Sequence, residues 1–273
     1  MRVRLVVNPR SRRGKQFGAV VRDELRRWGV DVAEPPARNG IEAIVVAGGD
    51  GTLVGETSRA IALDVPVGVV PLGTFNDLAR TLGIPLDIEQ ACSVIAAGKT
   101  RRIDAARVNG TYYLTEASIG ISSRLARRQR PEEKQRFGLL AIAASALTAV
   151  RYARSFHVEI SYGGLKQRFR ASQLTVANSP HFGGFITVED AAIDDGQLDL
   201  YAVEIENARQ LVSVAGAILK GQRHFTQGLR AYRAKAFDVW TRRPHHVTAD
   251  GEPAGRTPAR FEVLPGALRL FVP

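Results

Sequence analysis

The chain has 273 residues, enough for one large domain or two ordinary ones, and its 45% hydrophobic content can fill real cores. It carries 38 Lys and Arg against 27 Asp and Glu, a formal charge of +11. Such a surplus suits a phosphate-bearing partner, whether a nucleotide, a nucleic acid or an anionic membrane face, and cannot choose among them.

In chain order, residues 4–7 read as a buried strand, and the apolar run before Asn8 and Pro9 is too short for a signal peptide. Phe17, Val20, Val21, Leu25 and Trp28 fall on one face of a helix stopped by Gly29. Residues 30–33 and 44–47 are predicted strands, and a glycine turn then opens a helix through about Leu63. Residues 65–70 form the next strand, ending at Pro71. Residues 75–82 are predicted helical with Gly83 as the stop, and 88–97 form a helix capped by Asp87. Cys92, the sole cysteine, excludes an internal disulfide; with Ala91, Val94 and Ile95 around it, it reads as helix core. Strand–helix alternation of this kind argues for a parallel sheet covered by helices. Residues 34–42, with Pro35, Pro36 and Gly40, are too short for a parallel crossover of about a dozen residues, so one helix is expected to be absent.

Beyond Lys99 the pattern changes. Residues 101–108, Asn109-Gly110 and 111–117 give a hairpin signal, and 156–162, Gly163-Gly164 and 165–176 a second. Further strands are expected over 198–203, 231–240, 245–249, 260–264 and 268–272, with helices over 137–153 and 207–220. This run of strands argues for a second, mostly antiparallel domain. The longest uncharged run, 137–150, has 14 residues and contains Gly138, short of the roughly 20 that cross a bilayer. With Arg127, Arg128 and Arg130 before it and Arg151 after, it fits either a core helix or a membrane-facing one. The chain is expected to be cytoplasmic, touching a membrane at most peripherally.

Four clusters could do chemistry. Val45-Val46-Ala47-Gly48-Gly49-Asp50-Gly51-Thr52 runs a strand into a turn whose glycines permit unusual dihedrals and close approach. Its amides and the following helix suit phosphate, and Asp50 there would call for an accompanying metal ion. A capped strand-to-helix turn explains it too. Pro71-Leu72-Gly73-Thr74-Phe75-Asn76-Asp77 also lies at the C-terminal end of a predicted strand, where ligands gather in open α/β sheets. Helix capping by Thr74 or Asn76 is the plainer account. Asp250-Gly251-Glu252 after strand 245–249 is either a turn or an acidic site. Ala192-Ile193-Asp194-Asp195-Gly196-Gln197 could offer oxygen ligands to a hard cation or be turn chemistry. The five histidines lack zinc spacing, and no P-loop lysine motif, G-x-G-x-x-G or G-x-S-x-G is present. The basic loop through Lys15 offers amides and cations to phosphate, or is simply solvated.

Taken in order, these clusters resemble the diacylglycerol kinase catalytic-domain family, including its small bacterial soluble lipid kinases. The carriers are Asn8-Pro9, Gly48 to Thr52, Pro71 to Asp77, Asn178, Gly183-Gly184, Asp194-Asp195-Gly196, Asp250-Gly251-Glu252 and Leu264-Pro265-Gly266-Ala267-Leu268. The resemblance implies an α/β-plus-β fold: a Rossmann-like nucleotide-binding domain with reduced helix content over 1–103, joined by the strand 266–273, and a β-sandwich over 104–265. It implies transfer of the γ-phosphoryl group of ATP to a lipid hydroxyl. Asn8, Gly48, Gly49, Asp50, Gly51, Thr52, Leu53, Val54 and Thr74 would line the nucleotide. Asp250 would be the general base, with Asn76, Asp77 and Glu252 on the substrate side. The Ala192 carbonyl, the Asp195 carboxylate and the Gln197 carbonyl would hold a structural Mg²⁺. The expected partner is a lipid at an anionic membrane surface; a homodimer is compatible with the sequence, and nucleic acid, resting on charge alone, is not expected.

Three departures qualify the likeness. Leu53-Val54-Gly55 stands where the family usually places a residue and then Asn-Glu, with Glu56 one place later. The shortened 34–42 segment puts an ATP contact near Glu34 in doubt, and Arg12 replaces a glycine of the first loop. A catalytically weak relative that binds lipid or nucleotide is therefore the second reading. An NAD kinase, which normally keeps Asn-Glu, is a distant third.

Overall fold

The computed structural model describes residues 1–8, 12–34, 40–126, 155–182, 186–187, 191–204 and 229–273. The helices expected over 137–153 and 207–220, the flanking arginines, Gly183-Gly184 and the centre of the 34–42 connection lie outside these residues. Among the described residues, no helix is long and apolar enough to cross a membrane. The chain divides into two units, one of Met1–Ala105, Ala192–Gly196 and Leu264–Pro273, the other of Ala106–Ala191 and Gln197–Val263.

The first unit contains β1 (Arg2–Val7), α1 (Arg12–Arg27), β2 (Asp31–Val32), β3 (Ala43–Gly48), α2 (Asp50–Leu63), β4 (Val67–Pro71), α3 (Asp77–Thr81), α4 (Ile88–Ala97) and most of β5 (Thr100–Val108). The strands run parallel in the order β2-β1-β3-β4, and Leu270 pairs in parallel with Val67 beyond β4. All residues of β3 and β4 are buried, as expected of central parallel strands. On α1, Val21 and Leu25 are fully buried, whereas Val20 and, just past the helix end, Trp28, assigned to the same face from periodicity, are about half exposed at 47% each. Asp87 caps α4 as expected, accepting from the Gln90 amide at 3.0 Å. Cys92 is buried on that helix, and burial pushes its thiol up to about 12.

The second unit continues with β6 (Thr111–Tyr113), β7 (Glu116–Gly120), α5 (Ile121–Ala126), β8 (Phe156–Tyr162), β9 (Leu165–Ala171), β10 (Gln173–Ala177), β11 (His181–Phe182), β12 (Ile186–Thr187), β13 (Leu198–Val203), β14 (Leu229–Ala234), β15 (Ala236–Thr241), β16 (His246–Ala249), β17 (Glu252–Arg256) and the start of β18 (Ala259–Phe271). A six-stranded antiparallel sheet has the order β14-β13-β10-β7-β16-β17; a second antiparallel set runs β18-β15-β8-β9. Their inner faces share one core, including Ile160, Phe237 and Phe261 from one sheet and Ile119, Leu174 and Leu200 from the other. This is a β-sandwich. Both hairpin signals hold, and Asn109 and Gly110 both take positive φ at the first of them, as a type I′ turn requires.

Five elements differ from the periodicity, the first being the 111–117 run, which breaks at Leu114-Thr115 between β6 and β7 as the chain changes sheet. The 165–176 run breaks at Ser172, and 231–240 at Lys235, because each chain leaves one sheet for the other at that residue. The strands expected over 260–264 and 268–272 are one strand, β18. The helix expected from residue 75 begins only at Asp77, because Asn76 adopts a left-handed φ of 52° that a helical turn cannot contain.

Candidate functional site

In the first unit the two glycine loops meet. The Leu72 amide donates to the Gly48 carbonyl at 2.9 Å. A Cβ on Gly73 would sit 2.5 Å from the Gly49 Cα, so only glycine permits this approach. Gly48 faces Thr52 in the same way, at 2.7 Å. None of Gly48, Gly49 and Gly51 has positive φ, so Gly48 and Gly49 serve close approach rather than unusual dihedrals, while a Cβ at Gly51 would meet nothing within 4 Å. Gly49 caps α2, so Asp50, Gly51 and Thr52 form the first helical turn.

Asp50 reaches across to the other loop. Its two carboxylate oxygens accept from the Asp77 and Leu78 amides, each at 3.3 Å, at the N-terminus of α3. That accounts for an acidic residue in the turn without a metal ion. Asn76 is buried, and its side chain both accepts from the Gly73 amide at 2.9 Å and donates to the Gly73 carbonyl at 3.1 Å. Gly48, Gly49, Asp50, Leu53 and Asn76 line a small cavity with Val46, Val69 and Ala79. Thr74 is exposed on its rim loop, Val54 is half-buried on α2, and Asn8 follows β1.

In the second unit Asp250 and Gly251 form the two-residue turn between β16 and β17, with φ of 46° and 85°. This is an Asp-Gly type I′ hairpin turn, where the sequence suggested a turn or an acidic site. Its carboxylate does more. It accepts from the amides of Leu114 at 2.7 Å, Thr115 at 3.1 Å and Glu116 at 2.9 Å, and from the Thr115 hydroxyl. Burial pushes the Asp250 carboxyl above the usual range, against the pull of these four hydrogen bonds. Tyr113, just before the segment, is fully buried with no hydrogen-bond partner for its hydroxyl; burial first, then the charges of Asp250 and Glu116, raises its phenol well above 10.0. Glu252 is exposed on β17. Thr115 and Tyr113 escaped the sequence reading because a β-strand pattern carries no sign of what its turn residues bind.

Among the described residues no group of three or more His, Cys, Asp or Glu side chains could hold a metal. Ala192 and Asp195 are exposed on a turn held by Asp104, whose amide donates to the Ile193 carbonyl at 2.8 Å and whose carboxylate accepts from the Gly196 amide at 2.7 Å. Asp194 is engaged by Arg101, whose Nε donates to it at 3.0 Å. Glu34, beside the shortened connection, is held by Arg22 and Arg26 at 2.8 Å each, and the Arg22 guanidinium is the main reason its carboxyl lies below the usual range.

An α/β unit with glycine loops at its strand ends and a β-sandwich carrying a half-buried, hydrogen-bonded acid define a two-domain kinase class, and comparison with known proteins agrees. Residues 2–108 match the diacylglycerol kinase catalytic domain, and residues 115–272 the YegS C-terminal NAD kinase beta sandwich-like domain. The chain belongs to this family of diacylglycerol and lipid kinases. It is 28% identical to a diacylglycerol kinase of Bacillus subtilis (strain 168), the alignment covering 100% of this chain and 96% of that protein. An uncharacterized Synechocystis protein is 29% identical over 84% of this chain, which spans about half (54%) of that protein's length. A solved structure from Bacillus anthracis str. Sterne has a TM-score of 0.82 at 25% identity, covering 100% and 97% of the two chains. An Archaeoglobus fulgidus NAD kinase in complex with ATP, at 14% identity and a TM-score of 0.53, shares the fold.

Proposed function

We propose that this protein transfers the γ-phosphoryl group of ATP to the hydroxyl of a membrane lipid, diacylglycerol or a relative of it. The observation that carries this reading is the tie between the Gly48 and Gly73 loops, in a chain of the diacylglycerol kinase family. Backbone amides brought together at the start of α2, without intervening side chains, suit the phosphates of a nucleotide. Asn8, Gly48 to Val54 and Thr74 would line it.

In the reaction the acceptor oxygen attacks the γ-phosphorus, the bond from that phosphorus to the β–γ bridging oxygen breaks, and ADP departs with the electron pair. Asp250 takes the hydroxyl proton, and its raised pKa brings it nearer to a working base. Asn76, Asp77 and Glu252 belong to the acceptor side of this reading. The donor set on 192–197 fits a hard cation: two backbone carbonyls, Ala192 and Gln197, and the Asp195 carboxylate, on a turn already fastened by Asp104. Mg²⁺ there would supply structural order to that turn. The positive charge favours work at an anionic membrane surface.

The test is a radiolabelled-ATP assay on mixed membrane lipids with wild type and Asp250→Ala. Label entering a lipid in wild type and not in the variant is expected. The departures at Val54 and Gly55 favour a second reading, a relative that binds without turnover. Wild type that binds ATP yet labels no lipid under varied Mg²⁺ and detergent would establish that reading instead.

A further inference from the structure

The Asp250 carboxylate is held unevenly. Oδ1 accepts three hydrogen bonds, from the Thr115 and Glu116 amides and the Thr115 hydroxyl, whereas Oδ2 accepts one, from the Leu114 amide. A carboxylate oxygen offers two lone pairs, so Oδ1 is saturated and Oδ2 keeps one direction for another proton donor. Thr115 is itself braced from the other side. β7 lies between β10 and β16, with Glu116 opposite Ala177 and Ala117 opposite Ala249. The residues following those strands, Asn178 and Asp250, therefore flank the 114–116 segment. Asn178 is buried; its amide donates to the Thr115 carbonyl at 2.8 Å and its Nδ2 to the Leu114 carbonyl at 3.0 Å. Three amides would suffice to tie a hairpin turn. The Thr115 hydroxyl, only 5% exposed, adds a donor to an oxygen that already has two, and valine, of similar shape, would remove that donor.

We propose that Thr115 is a positioning residue for phosphoryl transfer, its hydroxyl binding Oδ1 of Asp250 so that Oδ2 alone receives the acceptor's proton, with Asn178 bracing the segment. This rests on the reading of Asp250 as the base. Among the described residues the titratable groups around the carboxylate are Tyr113 on β6, Glu116 on β7 and Glu252 on β17, none of them a cation, and the four hydrogen bonds are what favours its charged form.

The experiment uses the full chain with Thr115→Val, Thr115→Ser and Asp250→Asn. One measurement is the ¹³C NMR titration of the aspartate carboxyl carbons, Asp250 being identified by its loss in Asp250→Asn. The other is phosphorylation of dioleoylglycerol in mixed micelles at saturating ATP. Thr115→Val should raise the Asp250 midpoint by about one pH unit and lower kcat roughly 10- to 100-fold with KM for ATP unchanged; Thr115→Ser should restore both. If valine does not fold there, Thr115→Ala carries the same comparison with serine. An unchanged midpoint, or equal losses in the serine and valine variants, overturns the proposal. Full activity in Asp250→Asn would sink the base reading itself, whereas an inactive Asp250→Asn beside a normal Thr115→Val would sink only the role of Thr115. The titration reports on the tie even if this lipid is not phosphorylated.

Discussion

Gly73 and Gly51 occupy the same pair of loops and do opposite things. A Cβ at Gly73 would meet both the Gly49 Cα and the Asn76 Oδ1 at 2.5 Å, while at Gly51 nothing lies within 4 Å. Gly73→Ala should therefore cost about 1–3 kcal/mol in urea unfolding and weaken ATP binding by prising the loops apart. Gly51→Ala, on the first turn of α2, should be neutral or stabilise by up to about 1 kcal/mol. Equal effects at the two positions would remove the close-approach argument. Both glycines were visible in the sequence as motif members. Their different work was not, because motif spacing does not say which backbone passes opposite. Asp250 adds a pH dependence. Its folded pKa is raised by burial, so the folded state binds the proton more tightly than the unfolded chain. The stability this gives is complete below the unfolded value of about 3.9 and is lost as pH rises through the folded value. Unfolding free energies of wild type and Asp250→Asn should diverge across that window. If Asp250 is the base, as proposed, transferase activity should fall in the opposite sense, as acid protonates it. A difference between the proteins that is flat with pH would contradict the proton-retaining state of this carboxyl.

A single buried acid fastens two chain segments of the first unit. Asp104 on β5 is 2% exposed; its carboxylate accepts from the Gly196 and Gly266 amides, each at 2.7 Å. Two segments far apart in sequence thus depend on one side chain. Asp104→Ala should cost about 2–4 kcal/mol, read as a lower urea midpoint, because two amides lose a charged acceptor. Asp194→Ala, whose partner Arg101 is substantially exposed, should cost under about 1 kcal/mol. If Asp104→Ala proves no worse than Asp194→Ala, the fastening role is wrong. The sequence announced strands, hairpins and the α4 cap, since alternation, Asn-Gly and Asp87 are local signals. It could not announce that the chain changes sheet at Ser172 and Lys235. A strand that switches sheets keeps its alternation through the switch, and only the partner's register, Ser172 to Val203 and Lys235 to Val263, tells the two apart. The short α3 was overextended for a related reason: Phe75 continues the apolar pattern, but Asn76 turns left-handed to cap the Gly73 loop with its side chain.

For the molecule as a whole the charge of +11 is the property that no single site accounts for. Many of the arginines are paired with acids, Arg107 with Glu262 and Arg260 with Asp238 among them, and such exposed pairs contribute little to stability. The surplus that is left acts at a distance, on whatever anion the protein approaches. On the proposed reading the acceptor is embedded in a surface, and a net positive protein would be drawn to phosphatidylglycerol-containing membranes by a field that salt screens. The Debye length is about 10 Å at 0.1 M salt and about 3 Å at 1 M. Co-sedimentation should therefore show the protein on phosphatidylglycerol–phosphatidylcholine vesicles at low salt, released at high salt, and absent from pure phosphatidylcholine at either. Binding that ignores both lipid charge and salt would mean that apolar insertion, not the net charge, brings the protein to its acceptor. Thr115→Val and Asp250→Asn change no more than one unit of that charge, so vesicle binding should survive in both while transfer slows in the first and is lost in the second, which would separate the proposed arrival at a membrane from the proposed chemistry.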